Sequence, residues 1–325
     1  MQLFHLEGDD PYDKFLPKIS SVISKIVIIY LILTIILFGL YYVNGMSLFD
    51  AVAHSFTTIS TGGFSTHDLS FAYFESHSIL LIAIIFMILG SFPFLVLAKT
   101  NIKNPFAAFK DHQVKIFLLL LFISICLIYF FAQKYLIGSE IQKIIIISFN
   151  TISIISGTGF ISENFEGWGN YASTLFLILM FIGGCAGSTT GGIKIFRFQI
   201  LLKYIAIHLK KMLQPHAVIA SHFNGRKIQD STYESVMIFF FIYILTFAFS
   251  ALLLSFSGLD FLTCFSAAAS AISNVGPGLG EIIGPEGNYS SLTSYTKIIL
   301  IFTMFLGRLE MLTILVLFLP SFWKN

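Results

Sequence analysis

The chain has 325 residues, of which 56% are hydrophobic and only 11% are charged, and its formal net charge is +2. A soluble domain has about 25% charged residues, so this composition excludes an ordinary water-covered surface. Several apolar runs approach or exceed the roughly 20 residues that a helix needs to cross a bilayer. The composition predicts an all-α polytopic membrane protein, and we expect no nucleic-acid partner.

The chain opens with a polar segment, residues 1–21. The apolar run that follows is longer than the core of a signal peptide, so we expect it to be a retained span. Six long apolar runs are predicted to cross the membrane. They cover residues 22–43, 78–98, 114–137, 171–207, 233–256 and 294–320.

A shorter and less apolar run lies between the two long runs of each successive pair. These short runs are residues 47–59, 140–155 and 260–273. As helices they would be about 18–24 Å long, too short for a hydrocarbon core of about 30 Å. Each ends directly in a turn rich in Gly, Ser and Thr. The chain therefore repeats a unit of span, re-entrant half-helix, turn and span three times.

The three turns align without gaps on the pattern Ser-x-x-Gly followed by Phe or Pro. The aligned segments are Ser60–Phe64, Ser156–Phe160 and Ser273–Pro277. One such match could be chance, because Ser and Gly are common residues. Three matches at the same point of a three-part unit indicate an internal repeat.

The charged residues indicate which side of the membrane each segment faces. Three basic segments contain 14 of the 19 Lys and Arg residues, and the three loops with the turns contain nine of the 17 acids. The basic segments are 1–25, 99–115 and 194–227, and the loops are 44–77, 134–170 and 257–297. By the positive-inside rule, the basic segments and both termini are cytoplasmic, and the turns enter from the opposite face.

The turns have the chemistry of a cation site. Non-helical backbone at membrane depth is tolerated only where it is buried in protein or lines a watery cavity. A half-helix running inward points its partly negative C-terminal end at the membrane interior, and glycine permits angles that aim successive carbonyls to one side. Several such turns around an axis would form a ring of carbonyls that replaces the water shell of an alkali cation. The alternative is a set of re-entrant corners buried against their neighbours.

Residues 183–192 interrupt the fourth apolar run with five glycines in ten residues, which cannot hold a helix well. A phosphate-binding loop would need a Lys directly after its last glycine, whereas Ile193 stands there. A glycine patch for helix packing stays open as an alternative.

Arg308 lies about midway along the last apolar run, where a charge is costly and usually faces a cavity or a partner. We interpret it as a pore-proximal charge that raises a barrier to cations or latches a nearby loop, and a structural anchor for free carbonyls is the alternative. Glu310 is the one acid well inside a predicted span, and no His or Asp is spaced to join it. We therefore predict no enzyme.

Six acids near the outer mouth would concentrate cations, although most have the pattern of solvated loop charges. They are Asp68, Glu75, Glu163, Glu166, Glu281 and Glu286.

Five segments of the sequence carry a resemblance to a known family. They are "HSFTTISTGGFSTHD", "IISGTGFIS", "GGCAGSTTGGIK", "ISNVGPGLG" and "FLGRLEMLTILVLFLP". Together they resemble the membrane subunit of the Trk/Ktr potassium-uptake systems. The resemblance implies a potassium-channel-like fold with four linked units of helix, pore half-helix, filter and helix. It also implies K+ as the transported ion, with no organic cofactor in this chain.

The resemblance assigns the site residue by residue. It implies a backbone-carbonyl selectivity filter at Thr61, Gly62, Gly63, Gly157, Thr158, Gly159, Asn274, Val275 and Gly276. It also implies a movable gate loop that obstructs the pore below the filter, formed by Gly183, Gly184, Cys185, Ala186, Gly187, Ser188, Thr189, Thr190, Gly191 and Gly192. Each unit keeps one aligned glycine where potassium channels have T-V-G-Y-G, so we expect looser selectivity.

The family has four units, and this chain has three, which resemble the second, third and fourth. The expected units are residues 22–98, 114–212 and 231–325, joined by linkers 99–113 and 213–230. The opening residues 1–21 resemble the linker after the first unit, so Met1 is expected to be an internal methionine serving as a start. A ring without one quadrant would expose polar backbone to lipid. The first unit is then a separate polypeptide, or the chain is a truncated non-conducting remnant, or the sequence is incomplete.

The resemblance further implies a cytoplasmic nucleotide-binding regulatory subunit, a homodimer and the inner membrane of a bacterial cell. The sequence has no nucleotide-binding motif, so any dependence on ATP or NAD would come from that partner. The predicted function is K+ uptake through a gated pore, and the alternative is the non-conducting remnant.

Overall fold

The computed structural model describes residues 19–98, 107–216, 222–223, 226–309 and 311–323, and these are mostly helical. The helices are α1 (Ile19–Val43), α2 (Leu48–Ile59), α3 (His77–Gly90), α4 (Phe94–Leu97), α5 (His112–Ala132), α6 (Glu140–Ile155), α7 (Asn170–Leu179), α8 (Ile195–Leu213), α9 (Asp230–Ser255), α10 (Phe261–Ser273), α11 (Ser294–Arg308) and α12 (Met311–Leu317). A two-residue antiparallel pair, β1 (His222–Phe223) and β2 (Arg226–Lys227), departs from the all-α prediction.

Most of the predicted linkers lie outside the described residues. They include residues 1–18 of the opening segment, residues 99–106 of the second linker, and residues 217–221 and 224–225 of the third. Glu310 also lies outside them.

Among the described residues, three helices are long and apolar enough to cross a membrane. They are the Ile23–Val43 part of α1, α5 and α9, and α11 with α12 adds a fourth if a bent pair counts as one span. Their outward surfaces are apolar, as at Ile35 on α1 and Phe122 on α5, which are 67% and 66% exposed. Such faces suit a lipid environment, because a soluble helix turns polar residues outward.

The second, fourth and sixth predicted spans are not continuous helices. The second ends as α3 at Gly90 and resumes as α4, because Pro93 lacks an N–H group and disfavours helical angles at the residue before it. The fourth is divided into α7 and α8 by the glycine-rich segment. The sixth is bent by 107° between α11 and α12, although the sequence suggests one uninterrupted run.

Three short helices, α2, α6 and α10, lie within one residue of the predicted short runs. Each starts at a side-chain N-cap, which satisfies an orphan amide of the first turn. The caps are Ser47 for α2, Ser139 with a capping box for α6, and Asp260 for α10. Each of these helices packs between two others: α2 between α1 and α3, α6 between α3 and α5, and α10 between α9 and α11.

Candidate functional site

The turns that follow α2, α6 and α10 share one backbone pattern. The first residue of each turn has a positive φ (51°, 67° and 55°), and so does the third (68°, 82° and 113°), while the middle residue does not. The first residues are Thr61, Gly157 and Asn274, the middle ones Gly62, Thr158 and Val275, and the third ones Gly63, Gly159 and Gly276. Alternating handedness along a chain turns successive carbonyls to the same side, which ordinary strand backbone does not do.

Each turn is tied to the end of its half-helix in the same way. The amide of the middle residue donates to the carbonyl five residues earlier, with N···O distances of 2.7 Å for Gly62, 2.9 Å for Thr158 and 2.9 Å for Val275. This is the long-range bond of a Schellman helix end. The turns are therefore fixed extensions of the half-helices, and the helix C-termini direct their negative ends toward them.

The three turns lie next to one another in chain order. A Cβ atom on Gly63 would lie 1.6 Å from the carbonyl oxygen of Thr158, and one on Gly159 would lie 1.8 Å from that of Val275. The third glycine of one turn thus packs on the middle carbonyl of the next and leaves no space for a side chain. No described atom lies within 4 Å of the Cβ position on Gly276. Among the described residues, no further turn therefore packs on the glycine of the third turn.

The aromatic residue after the first turn lacks the packing that its counterpart after the second turn has. Phe160, which follows the second turn, is fully buried and lies 4.4 Å from the ring of Phe71. The aligned Phe64 is 77% exposed, and the neighbouring face of α2 exposes Phe49 and Phe56. Among the described residues, nothing occupies the position between the third turn and the first.

Residues 183–192 form a closed loop between α7 and α8. Its two ends are joined by a bond from the Gly183 amide to the Ile193 carbonyl, 2.9 Å, and one from the Ile195 amide to the Gly184 carbonyl, 3.0 Å. The ammonium group of Lys194, two residues after the loop, donates to the carbonyl and the hydroxyl of Thr190. The alternative of a glycine patch on a continuous helix is therefore wrong.

The loop lies against the ends of all three half-helices. A Cβ atom on Gly191 would be 2.2 Å from the Ser273 carbonyl oxygen at the end of α10, and one on Gly157 would be 3.3 Å from the Gly191 amide. On the opposite side, the Thr189 hydroxyl donates to the Ile59 carbonyl at the end of α2, 3.0 Å. The sequence-predicted gate residues and filter residues are thus brought into contact, while their roles stay predictions.

Arg308 is beside this loop, at the end of α11. Its guanidinium donates to the carbonyl of Thr189, 3.1 Å. The preceding Gly307 lets α11 pack closely on the end of α10, because a Cβ atom there would lie 1.9 Å from the Ile272 carbonyl oxygen. The structure therefore brings Arg308 to the loop through a backbone contact, which is compatible with both a latch and an anchor.

Sequence reasoning missed several polar contacts around the turns. The Tyr289 hydroxyl donates to the carbonyl of Gly276, 2.7 Å. Asp50 on α2 accepts from Ser47 and Thr66 at 2.7 Å and 2.5 Å. Asp50 lies three residues after the N-cap Ser47, and from this spacing, which is typical of a capping box, its contact with Ser47 could have been predicted.

Of the six outer acids, Glu166 makes a specific contact that links two units. Its carboxylate accepts from the amide of Gly280, four residues after the third turn. Within the described part of the chain, no group of three or more His, Cys, Asp or Glu is arranged to hold a metal ion.

The chain is similar to known cation transport proteins. The family model described as "TrkH: Cation transport protein" matches residues 5–325. The Trk system potassium uptake protein TrkI of Halomonas elongata is 39% identical over 328 residues, which cover 100% of this chain and 66% of that protein. The TrkH protein of Escherichia coli K12 is 34% identical, over 100% of this chain and 68% of its own length.

The crystal structure of the potassium transporter TrkH from Vibrio parahaemolyticus superimposes with a TM-score of 0.87 at 34% identity, covering 95% of this chain and 66% of that one. The chain thus spans about two thirds of the length of the relatives it matches.

Proposed function

The chain belongs to the TrkH family of cation transport proteins, and from this premise we propose that it is a K+ translocation subunit with a backbone-carbonyl filter. The family is one of transporters and not of enzymes, as the sequence predicted. The observation that carries the proposal is the direct packing of Gly63 on Thr158 and of Gly159 on Val275. It places turns of one conformation side by side, as a filter requires.

In the proposed filter, K+ exchanges its water shell for carbonyl oxygens of the three turns. The half-helix C-termini add their partial negative charge without a carboxylate. Because the third glycines of the first and second turns pack on the next turn, the spacing between the carbonyls of these adjacent units is fixed. One aligned glycine per unit gives a short filter, which is consistent with some passage of Rb+ or Na+.

The proposed architecture has six crossings and three re-entrant half-helices in three units. The crossings α1, α5 and α9 are continuous, and the second crossing of each unit is broken. These broken crossings are α3 with α4, α7 with α8, and α11 with α12. Both termini would lie in the cytoplasm, at the inner membrane of a bacterial cell, as the positive-inside rule indicates.

We propose that residues 183–192 are the gate and that Arg308 latches it. Support comes from the position of the loop against the ends of the three half-helices and from the bond between Arg308 and the Thr189 carbonyl. A positive charge beside the loop would also repel a cation that had passed the filter. Transport then requires that the loop and Arg308 separate.

A fourth unit in number, equivalent to the first unit of the family, is proposed to complete the ring between Gly276 and Phe64. Between the described turns, a middle carbonyl packs on a glycine, and Phe160 packs on Phe71. By analogy, the added unit would place a middle carbonyl against Gly276 and aromatic side chains against Phe64. The unit would come from a separate polypeptide or from further chain. A homodimer and a cytoplasmic nucleotide-binding regulator are the other proposed partners, and the basic end of α8, with Lys210 and Lys211, gives the regulator a charged surface.

The second candidate is a non-conducting remnant, and the open edge beside Gly276 is the observation that favours it. Uptake of radioactive Rb+ by cells without their own K+ transport separates the two. The chain is expressed alone and with a separately encoded fourth unit, each also as Gly159→Ser. Uptake that needs the fourth unit and is lost in the variant supports the filter. If both arrangements reach the membrane and neither transports, the remnant is correct.

A further inference from the structure

We infer that Thr189 couples the gate loop to the filter, so that release of the loop changes ion selectivity together with flux. The inference rests on the proposed function, and it concerns the side chain of Thr189, whereas the proposed Arg308 latch uses only the backbone carbonyl of that residue. In this scheme, hydrogen bonds link the gate loop directly to the first filter turn.

The Thr189 hydroxyl contacts three elements at once. It donates to the Ile59 carbonyl at the end of α2, 3.0 Å, and to the Gly90 carbonyl at the end of α3, 3.1 Å. It also accepts at 3.2 Å from the hydroxyl of Thr61, the first residue of the first turn, whose one hydrogen is shared with the Ser60 carbonyl at 2.7 Å. A hydroxyl has one hydrogen and two lone pairs, so the two carbonyls share a three-centre bond while a lone pair receives Thr61.

The two carbonyls have no helical partner of their own. Ile59 and Gly90 are the last residues of α2 and α3, and the last carbonyls of a helix lack intrahelical donors. The Cβ position on Gly90 is 3.1 Å from the Ile59 oxygen, so the two helix ends approach each other closely under the first turn. If Thr189 left, both oxygens would lose this donor, and Thr61 would lose an acceptor.

The rest of the loop is held by bonds that do not reach the turn. The Cys185 amide donates to the Ser91 carbonyl and the Phe94 amide to the Gly187 carbonyl, both 3.0 Å, at the break between α3 and α4. These bonds fix the position of the loop against the broken helix. The Thr189 side chain is therefore the contact through which loop movement acts directly on Thr61.

The neighbouring Thr190 provides a matched control. Its hydroxyl accepts from the Gly184 amide, 3.0 Å, and bonds the Ser188 hydroxyl, 2.8 Å, both within the loop. Thr190→Val would loosen the loop without removing a bond to the turn. Thr189→Val has the same change of composition, and Thr189→Ser retains the hydroxyl.

The test measures Rb+ and Na+ flux into proteoliposomes that contain the chain together with its fourth unit. We expect Thr189→Val to raise flux and to lower the Rb+/Na+ ratio by about two- to tenfold, the range of one hydrogen bond. Thr190→Val should raise flux with the wild-type ratio, and Thr189→Ser should restore that ratio. Thr61→Val removes the same bond from the filter side, so combining it with Thr189→Val should add little.

An unchanged ratio in Thr189→Val, or the same drop in Thr190→Val, would overturn the coupling. If Thr189→Val does not reach the membrane, Thr61→Val alone decides, and a wild-type ratio there has the same consequence. A wild-type protein that conducts neither ion contradicts the proposed function instead.

Discussion

Gly63→Ala tests the packing between adjacent turns, and Gly62→Ala is its control in the same turn. At Gly63, φ is 68° and the added Cβ would lie 1.6 Å from the Thr158 carbonyl oxygen. A left-handed conformation costs an L-residue about 1–2 kcal/mol. Because an unstrained C···O contact is about 3.3 Å, the turns would also have to separate by roughly 1.7 Å. At Gly62, φ is not positive, and the nearest atom is the Ser60 hydroxyl at 3.0 Å.

The assay is initial Rb+ uptake, normalised to the amount of protein in the membrane. Separation of the turns would move carbonyls away from the ion, so we expect Gly63→Ala to fall to background. Gly62→Ala should stay within about twofold of wild type, because its one tight contact is with the Ser60 hydroxyl, which can rotate away. Equal uptake by the two variants, with both present in the membrane, would refute the proposed contact between Gly63 and Thr158.

Three further predictions concern single side chains. Arg308→Ala removes a charged hydrogen-bond donor to the Thr189 carbonyl, and such a bond contributes about 1.5–3 kcal/mol. The Rb+ leak measured without a regulator should therefore rise about tenfold or more. A leak equal to that of the wild type would exclude a latch. Tyr289→Phe removes the donor to the Gly276 carbonyl and should change the Rb+/Na+ flux ratio with unchanged membrane content, whereas a constant ratio would make this contact incidental. Hydrogen bonds from Thr263 hold the pKa of Asp260 below its usual value. The charged carboxylate therefore stabilises the folded protein above the unfolded-state pKa of about 3.9, and this contribution is lost as pH falls through the lower folded-state pKa. The Tm difference between wild type and Asp260→Asn should therefore shrink below about pH 4, and a constant difference would contradict this.

The half-helices and turns were accessible to sequence reasoning because their signals are local. The short apolar runs end at Ile59, Ile155 and Ser273, where Gly and Ser punctuate the chain, and the structure ends the helices at the same residues. The break before α4 also had a local signal, Pro93, although the apolar run continues through it. The prediction of one continuous span followed the hydrophobicity of the run. In the structure the helix is interrupted at the proline, as expected of a residue that breaks helices.

The contacts that give the site its geometry join residues far apart in the chain. Phe64 and Phe160 are equivalent in sequence, yet one is exposed and the other buried, because burial depends on the neighbouring unit. Thr189 reaches Ile59 across a sequence separation of 130 residues. No periodicity or motif encodes such a pairing, which is why the sequence indicated a break in the helix at residues 183–192 but not the attachment of this loop to the first turn.

The location of the bound ion decides whether the turns form a carbonyl filter. Crystals of the chain with its fourth unit, grown in Rb+ or Tl+, would show the ion by its anomalous scattering. We expect a peak between the three turns, within reach of the carbonyls of Thr61, Gly157 and Asn274 or of the residues that follow them. A peak only at the outer acids, with none between the turns, would contradict a carbonyl filter.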